Sequence, residues 1–270
     1  WADEARQLQV WANADTPADA ERASLNGAEG IGLCRTEHMF FAEERLLHIR
    51  RLLEIGPHAS RLIQREQDLQ AALAQAPASE RESLKHRLEE AGQEVAKAPD
   101  VLEFHAELAK LEQFQTQDFY GMMKAMHGRP VVIRLLDAPL HEFLPHYDDL
   151  LTQVTELRLH GREEELRDLQ QTLDLVESLR ESNPMLGNRG CRVGITMPEI
   201  YEMQVRSIVT AACLLTQEGH TVFPEIMIPI VSHVNELKWL RPRLRKIASE
   251  TREALGVEMT YKFGTMIEVP

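Results

Sequence analysis

Four polar residues stand at the ends of otherwise apolar runs. Arg35 follows Gly30-Ile31-Gly32-Leu33-Cys34, Arg134 and Asp137 close the run Val131-Val132-Ile133 and its Leu135-Leu136 continuation, and Glu268 follows Tyr261 to Ile267. A guanidinium keeps its charge at any working pH and grips carboxylate or phosphate oxygens through paired N–H donors. A glutamate among apolar neighbours is costly to bury without a partner, and Mg²⁺ takes one or two carboxylates together with substrate oxygens. Two arginines and a carboxylate therefore suit an anionic, metal-bound ligand. The same residues also read as strand-end charges, each pairing with a nearby carboxylate. Spacing alone leaves both readings open.

The elements that carry these residues alternate between strand and helix. Leu8 to Ala12 has the period and bulk of a short strand. A helix then starts at Thr16-Pro17, with Thr16 as N-cap and Asp19 in the first turn, and stops at Gly27 before a second strand at 30–34. Such a βαβ unit implies parallel strands. The rhythm resumes with a β-branched strand at 130–136 and a helical region from about Asp148 to Arg180. A turn at Ser182-Asn183-Pro184 comes next, then a helix capped around Thr196 that runs to Gln217. A strand at 223–231, a helix from a Ser232 cap to Leu255, and a last strand at 261–269 complete the series. Between Glu43 and Met126 the chain reads as nearly all helix. Leu62, Leu69 and Leu73 face Leu84, Leu88 and Val95 across a break at Pro77, with a capping box at Ser79-Glu80-Arg81-Glu82 and a second start at Asp100 with Glu103. This defines a helical hairpin at 58–98, read as a surface excursion without chemistry.

Parallel strands each followed by a helix leave two architectures, an open doubly wound sheet or a (β/α)₈ TIM barrel. No GxGxxG sits at a strand–helix turn. Polar residues at the C-terminal ends of several strands are what a barrel mouth requires, so the barrel is favoured.

Composition narrows the partners. The 270 residues carry 30 Lys and Arg against 43 Asp and Glu, a net charge of −13 that argues against nucleic acid. With 43% apolar residues a core can form, yet no run approaches the roughly 18 apolar residues of a membrane helix. The first residues lack a signal-peptide layout. Cys34, Cys191 and Cys213 form no CxxC pair and read as buried thiols of a reducing cytoplasm, the expected location.

Several longer segments carry a resemblance. Ala12 to Pro17, Gly27 to Phe40, Ile133 to Pro145, Asn183 to Arg192, Pro224 to Pro229 and Gly264 to Pro270 run in order and resemble the pyruvate phosphate dikinase family of PEP-utilising enzymes. The His141-Glu142-Phe143-Leu144-Pro145 segment differs from the loops of Enzyme I of the sugar phosphotransferase system and of phosphoenolpyruvate synthase. The resemblance implies the PEP/pyruvate-binding barrel of a multidomain homodimer. In that family a phosphohistidine on another domain exchanges its phosphoryl group with pyruvate, and ATP, phosphate and pyruvate become AMP, diphosphate and PEP. By motif, Arg35 and Arg134 are the catalytic pair, holding the phosphoryl group and the carboxylate of the substrate. Asp137 orients Arg134, Arg189 is a third phosphate contact, and Glu268 is one ligand of Mg²⁺. A histidine is common in the family where Asn188 stands, and His38 and His141 read as structural. The family's second metal-binding Asp, its acid Cys and its phosphohistidine motif are not found in these residues. The expectation is accordingly a barrel piece truncated after about strand 6 and inactive alone. A non-catalytic metabolite-binding module, or another PEP-utilising enzyme such as phosphoenolpyruvate synthase, is the alternative.

Overall fold

The computed structural model describes residues 1–160, 162–179, 183 and 187–269. Arg180 at the end of the expected helical region, Ser182 and Pro184 of the expected turn, and Met185 and Leu186 of the neighbouring motif lie outside the described residues, as does Pro270. In chain order the elements begin α1 (Ala2–Ala5), β1 (Trp11–Asn13), α2 (Pro17–Leu25), β2 (Gly30–Arg35) and α3 (Glu37–Phe40). Three long helices follow: α4 (Glu43–Gln75), α5 (Arg81–Lys97) and α6 (Pro99–Ala125). Then come β3 (Pro130–Arg134), a 3₁₀ turn (Leu140–Phe143), α7 (Tyr147–Leu159), α8 (Glu163–Leu179) and α9 (Cys191–Thr196). The last elements are α10 (Pro198–Gln217), β4 (Phe223–Ile228), α11 (Val234–Leu255) and β5 (Lys262–Thr265).

All strand pairs are parallel, and the sheet order is β1-β2-β3-β4-β5. The order runs in one direction without the reversal of a doubly wound sheet, consistent with an α/β barrel. Among the described residues there are five strands, where about six were expected. Ile31, Cys34, Val131, Ile133, Ile226 and Ile228 are buried, as the near-continuous apolar strands of a covered parallel sheet must be. Helix α10 supplies much of the cover through Ile200, Tyr201, Val205, Ile208 and Ala212. A separate apolar cluster joins α7 and α8 through Leu150, Val154, Leu173 and Val176.

Thr16 caps α2 as the sequence implies, its hydroxyl accepting from the Asp19 N–H at 3.1 Å. Other starts are displaced. β1 begins at Trp11, leaving Leu8 and Val10 exposed, because Trp11 packs its indole over Gly30, where a Cβ would come within 2.8 Å. No capping box forms at Ser79; α5 starts after Glu80 without a side-chain cap. Asp100 lies inside α6, where it pairs with His58 at 2.9 Å. Pro198 sets the first turn of α10, so Met197 is its N-cap and Thr196 closes α9 instead. His233, one residue past Ser232, caps α11 and completes its box with Glu236. α4 continues through Pro57 without interruption, so the first arm of the hairpin and the segment beside the sheet are one helix.

Candidate active site

Parallel register places Arg35 of β2 beside Arg134 of β3, Arg134 beside Met227 of β4, and Met227 beside Gly264 of β5. The two arginines therefore stand on adjacent strands at the same C-terminal edge of the sheet. Arg35 is anchored through its backbone, whose N–H donates to Asp15 Oδ1 at 2.7 Å. Its guanidinium is half-buried and only 3.5 Å from Asp15 Oδ2, a loose contact by hydrogen-bond standards. His38 holds the same carboxylate more closely, at 2.8 Å.

Arg134 is gripped from two sides. One terminal nitrogen donates to the Glu37 carboxylate, and the other lies 3.0 Å from Asp137 Oδ2. Asp137 in turn receives a two-pronged contact from Arg189, whose Nε and Nη2 donate at 3.2 and 3.0 Å. The Asp137 side chain has no exposed surface, and burial pushes its carboxyl up despite the opposing pull of the two guanidinium groups. The Nε of Arg134 and Oε2 of Glu37 are buried without a partner. Buried polar atoms of that kind are expensive and mark either strain or a ligand's place.

Glu268 lies beyond the end of β5, not within it as the expected 261–269 strand implied. Its Oε1 accepts from the Ile230 N–H at 2.7 Å. Ile230 has φ 54, the one non-glycine with positive φ among the described residues, and a β-branched side chain is disfavoured there by about 1–3 kcal/mol. The loop is fixed from its other side by Cys191, whose thiol donates to the Ile230 carbonyl at 3.3 Å. Gly190, at φ 58, passes so close that a Cβ would meet Asp137 Oδ1 at 3.0 Å and Ile230 Cβ at 3.1 Å. Arg189, Asp137 and Ile230 thus pack together, and Glu268, exposed and not buried among apolar neighbours as expected, reaches them through its bond to the Ile230 N–H; Arg134 Nη1 also comes within 3.8 Å of Met266 Sδ, just past β5.

Apart from the Cys191 bond to the Ile230 carbonyl, the thiols make no contact with the charged strand ends among the contacts described above. Cys34, Cys191 and Cys213 are buried, and burial pushes Cys191 up to about 12 and Cys34 well above the usual thiol range. Two recesses lie away from the arginines. One of about 520 Å³ is lined by Pro130, Phe223, Pro224 and Tyr261 at the opposite ends of β3, β4 and β5, and one of about 560 Å³ lies beside α2. Neither adjoins the row of charged strand ends. Among the described residues no group of three or more His, Cys, Asp and Glu could hold a metal by itself. Glu268 supplies one hard oxygen donor, which fits Mg²⁺ where water and ligand oxygens complete the shell.

The structure brings together Arg134, Asp137, Arg189 and the loop of Glu268, with Arg35 on the neighbouring strand. Glu37 and Asp15 were not foreseen as partners. Both lie inside motif segments, two residues from an arginine in one case and at a helix start in the other, where their local roles masked the tertiary ones.

This fold and site accompany a family match: the PEP-binding domain of the PEP-utilising enzymes matches residues 1–270, and the chain belongs to that family. Among similar proteins, the chloroplastic pyruvate, phosphate dikinase of Flaveria trinervia is 42% identical over 271 residues. The pyruvate, phosphate dikinase of Giardia intestinalis is 40% identical over 270 residues, and dikinase 1 of Oryza sativa, also chloroplastic, is 41% identical over 273. Each alignment covers 100% of this chain but only 23%, 25% and 24% of the respective relative. The chain thus spans about a quarter of the length of the curated relatives it matches. No described helix is long and apolar enough to cross a membrane.

Proposed function

We propose that these residues form the PEP/pyruvate-binding part of a pyruvate, phosphate dikinase, in which pyruvate and a phosphohistidine on another domain exchange a phosphoryl group to give PEP. The overall conversion is ATP, phosphate and pyruvate to AMP, diphosphate and PEP, in a homodimer. The five sequential strands are then the first part of a (β/α)₈ barrel, with the hairpin at 58–98 as an insertion. The observation that carries this reading is the side-by-side register of Arg35 and Arg134 at the strand ends, with the Glu268 loop in the same layer.

Phosphoryl transfer spreads charge over the equatorial oxygens and asks the protein mainly for position and positive potential. Arg134, clamped between Glu37 and Asp137, offers a preoriented guanidinium that need not reorganise as charge moves. Arg35 has only its long contact to Asp15 to give up on meeting an anion. Arg189 adds charge from the far side of Asp137, whose buried carboxylate holds both guanidinium groups. Glu268 is the carboxylate that would hold Mg²⁺. The bound ion would neutralise enolate and phosphoryl oxygens. These residues are inactive alone, and turnover needs the phosphohistidine partner.

The test is Arg134→Ala in the full-length protein. PEP formation should be lost while ATP-dependent histidine phosphorylation persists; an equal fall in both partial reactions would remove the site from this layer. Glu268→Gln keeps an acceptor for Ile230 but loses the charge, so the Mg²⁺ needed for half-maximal rate should rise roughly tenfold, the scale of a lost metal-site contact. An unchanged Mg²⁺ titration would exclude Glu268 from the ligand shell.

A further inference from the structure

Helix α10 carries two buried side chains that the site described above does not use. Gln204 has no exposed surface, and its amide spans two loops: Oε1 accepts from the Leu136 N–H at 2.8 Å and Nε2 donates to Thr36 Oγ1 at 2.9 Å. The amide orientation follows from its partners, since only an oxygen can accept from a backbone N–H. One turn earlier Tyr201, equally buried, donates its phenol O–H to the Leu136 carbonyl at 2.9 Å. Leu136 is past the last residue of β3, so neither of its backbone groups continues the sheet ladder, and a single turn of α10 satisfies both. Thr36 immediately follows Arg35, and Leu136 lies between Arg134 and Asp137.

A third contact extends the same hub. A Cβ at Gly194 would stand 2.5 Å from the Tyr201 ring, so α9, the helix entered directly from Arg189 and Gly190, lies against that ring. Three arginine-bearing segments therefore take their spacing from residues 201 to 204. Satisfying Leu136 alone would not require the second arm of the Gln204 amide. That arm reaches across to the neighbouring strand's loop and ties the segments that follow the two arginines beyond the last ladder pair of β2 and β3.

We infer that Gln204 and Tyr201 are positioning residues that set the distance between the Arg35 and Arg134 guanidinium groups, and through Gly194 the approach of Arg189. This rests on the proposed function and specifies how its two-arginine grip is held. A misplacement on the ångström scale costs on the order of 100-fold in rate when two groups must meet one ligand.

The experiment uses the full-length protein and follows the PEP–pyruvate half-reaction, normalised to the enzyme that accepts phosphate from ATP. Gln204→Met removes both arms with little change of volume and should lower the normalised kcat by roughly 10- to 100-fold, with a changed KM for PEP and intact ATP-dependent phosphorylation. Thr36→Val and Tyr201→Phe each delete one hydrogen bond and should lower kcat several-fold. The double variant of Gln204→Met with Thr36→Val should be no worse than Gln204→Met alone, because both break the same bond. If Gln204→Met does not fold, the two conservative variants carry the test. Wild-type kcat and KM in both, or additive losses in the double variant, would overturn the inference. Failure of the underlying reading is separable: Arg134→Ala would then spare PEP formation or lower both partial reactions equally, whereas failure of this inference alone leaves Arg134→Ala selectively inactive in PEP formation and the hub variants unimpaired.

Discussion

Arginine–carboxylate pairs occur both at the strand ends and along the α4–α5 arm, but water treats them differently. In the arm, Arg65 and Glu94 pair at 3.0 Å with both side chains at least half exposed. At the strand ends Arg134 and Asp137 pair at the same distance, 3.0 Å, with 11% and 0% of their side chains exposed. An exposed pair contributes about 0–1 kcal/mol and exchanges readily with solvent. A buried pair is costly to assemble, and removing one partner strands the other. The distance is common to both regions, so it cannot be what distinguishes them. Burial does: the arm's charges keep a helix solvated, while the strand-end charges are held in fixed geometry with two polar atoms left unpaired.

This contrast can be broken most forcefully at Asp137. Asp137→Ala would leave Arg189 without its two-pronged partner and Arg134 with Glu37 alone, and should cost about 3–5 kcal/mol in urea unfolding. A loss below about 1 kcal/mol would mean that water already reaches the layer and that burial is not what sets it apart.

A smaller effect is expected where a buried carboxylate has no counter-charge within hydrogen-bond reach. Glu199 accepts from Ser60 Oγ at 2.6 Å, its Oε1 has no partner, and burial raises its carboxyl above the ordinary range. A carboxyl with a raised folded-state pKa contributes nothing below its unfolded value and progressively destabilises the fold as pH rises towards the raised one. Glu199→Gln should remove that decline, so variant minus wild-type stability grows across this window and is level above it. Parallel stability curves from acid to neutral pH would contradict the assignment. Least of all should Arg65→Ala matter: below about 0.5 kcal/mol, with PEP formation unchanged. A large activity loss there would make the arm part of the machinery and dissolve the comparison.

Legibility in the sequence follows the same division. Strand ends were readable because apolar runs, β-branched in the second case, meet a charge at Arg35 and Arg134, and the helical arm was readable from its leucine spacing. Caps were less so. Thr16 was found because its whole signature is local, whereas Thr196 and Ser232 lost their places to neighbours fixed by Pro198 and by the His233–Glu236 box. Partners across the fold left no local trace: Glu37 reads as a first-turn helix acid, and Gln204 as one polar position in an apolar helix. The positive φ of Ile230 is the extreme case, since nothing about an isoleucine announces it.

Glu268 has two carboxylate oxygens, and the backbone of residue 230 already occupies one of them. The bent isoleucine loop is therefore also a fastener between two strand ends: it ties an exposed glutamate after β5 to the backbone that follows β4.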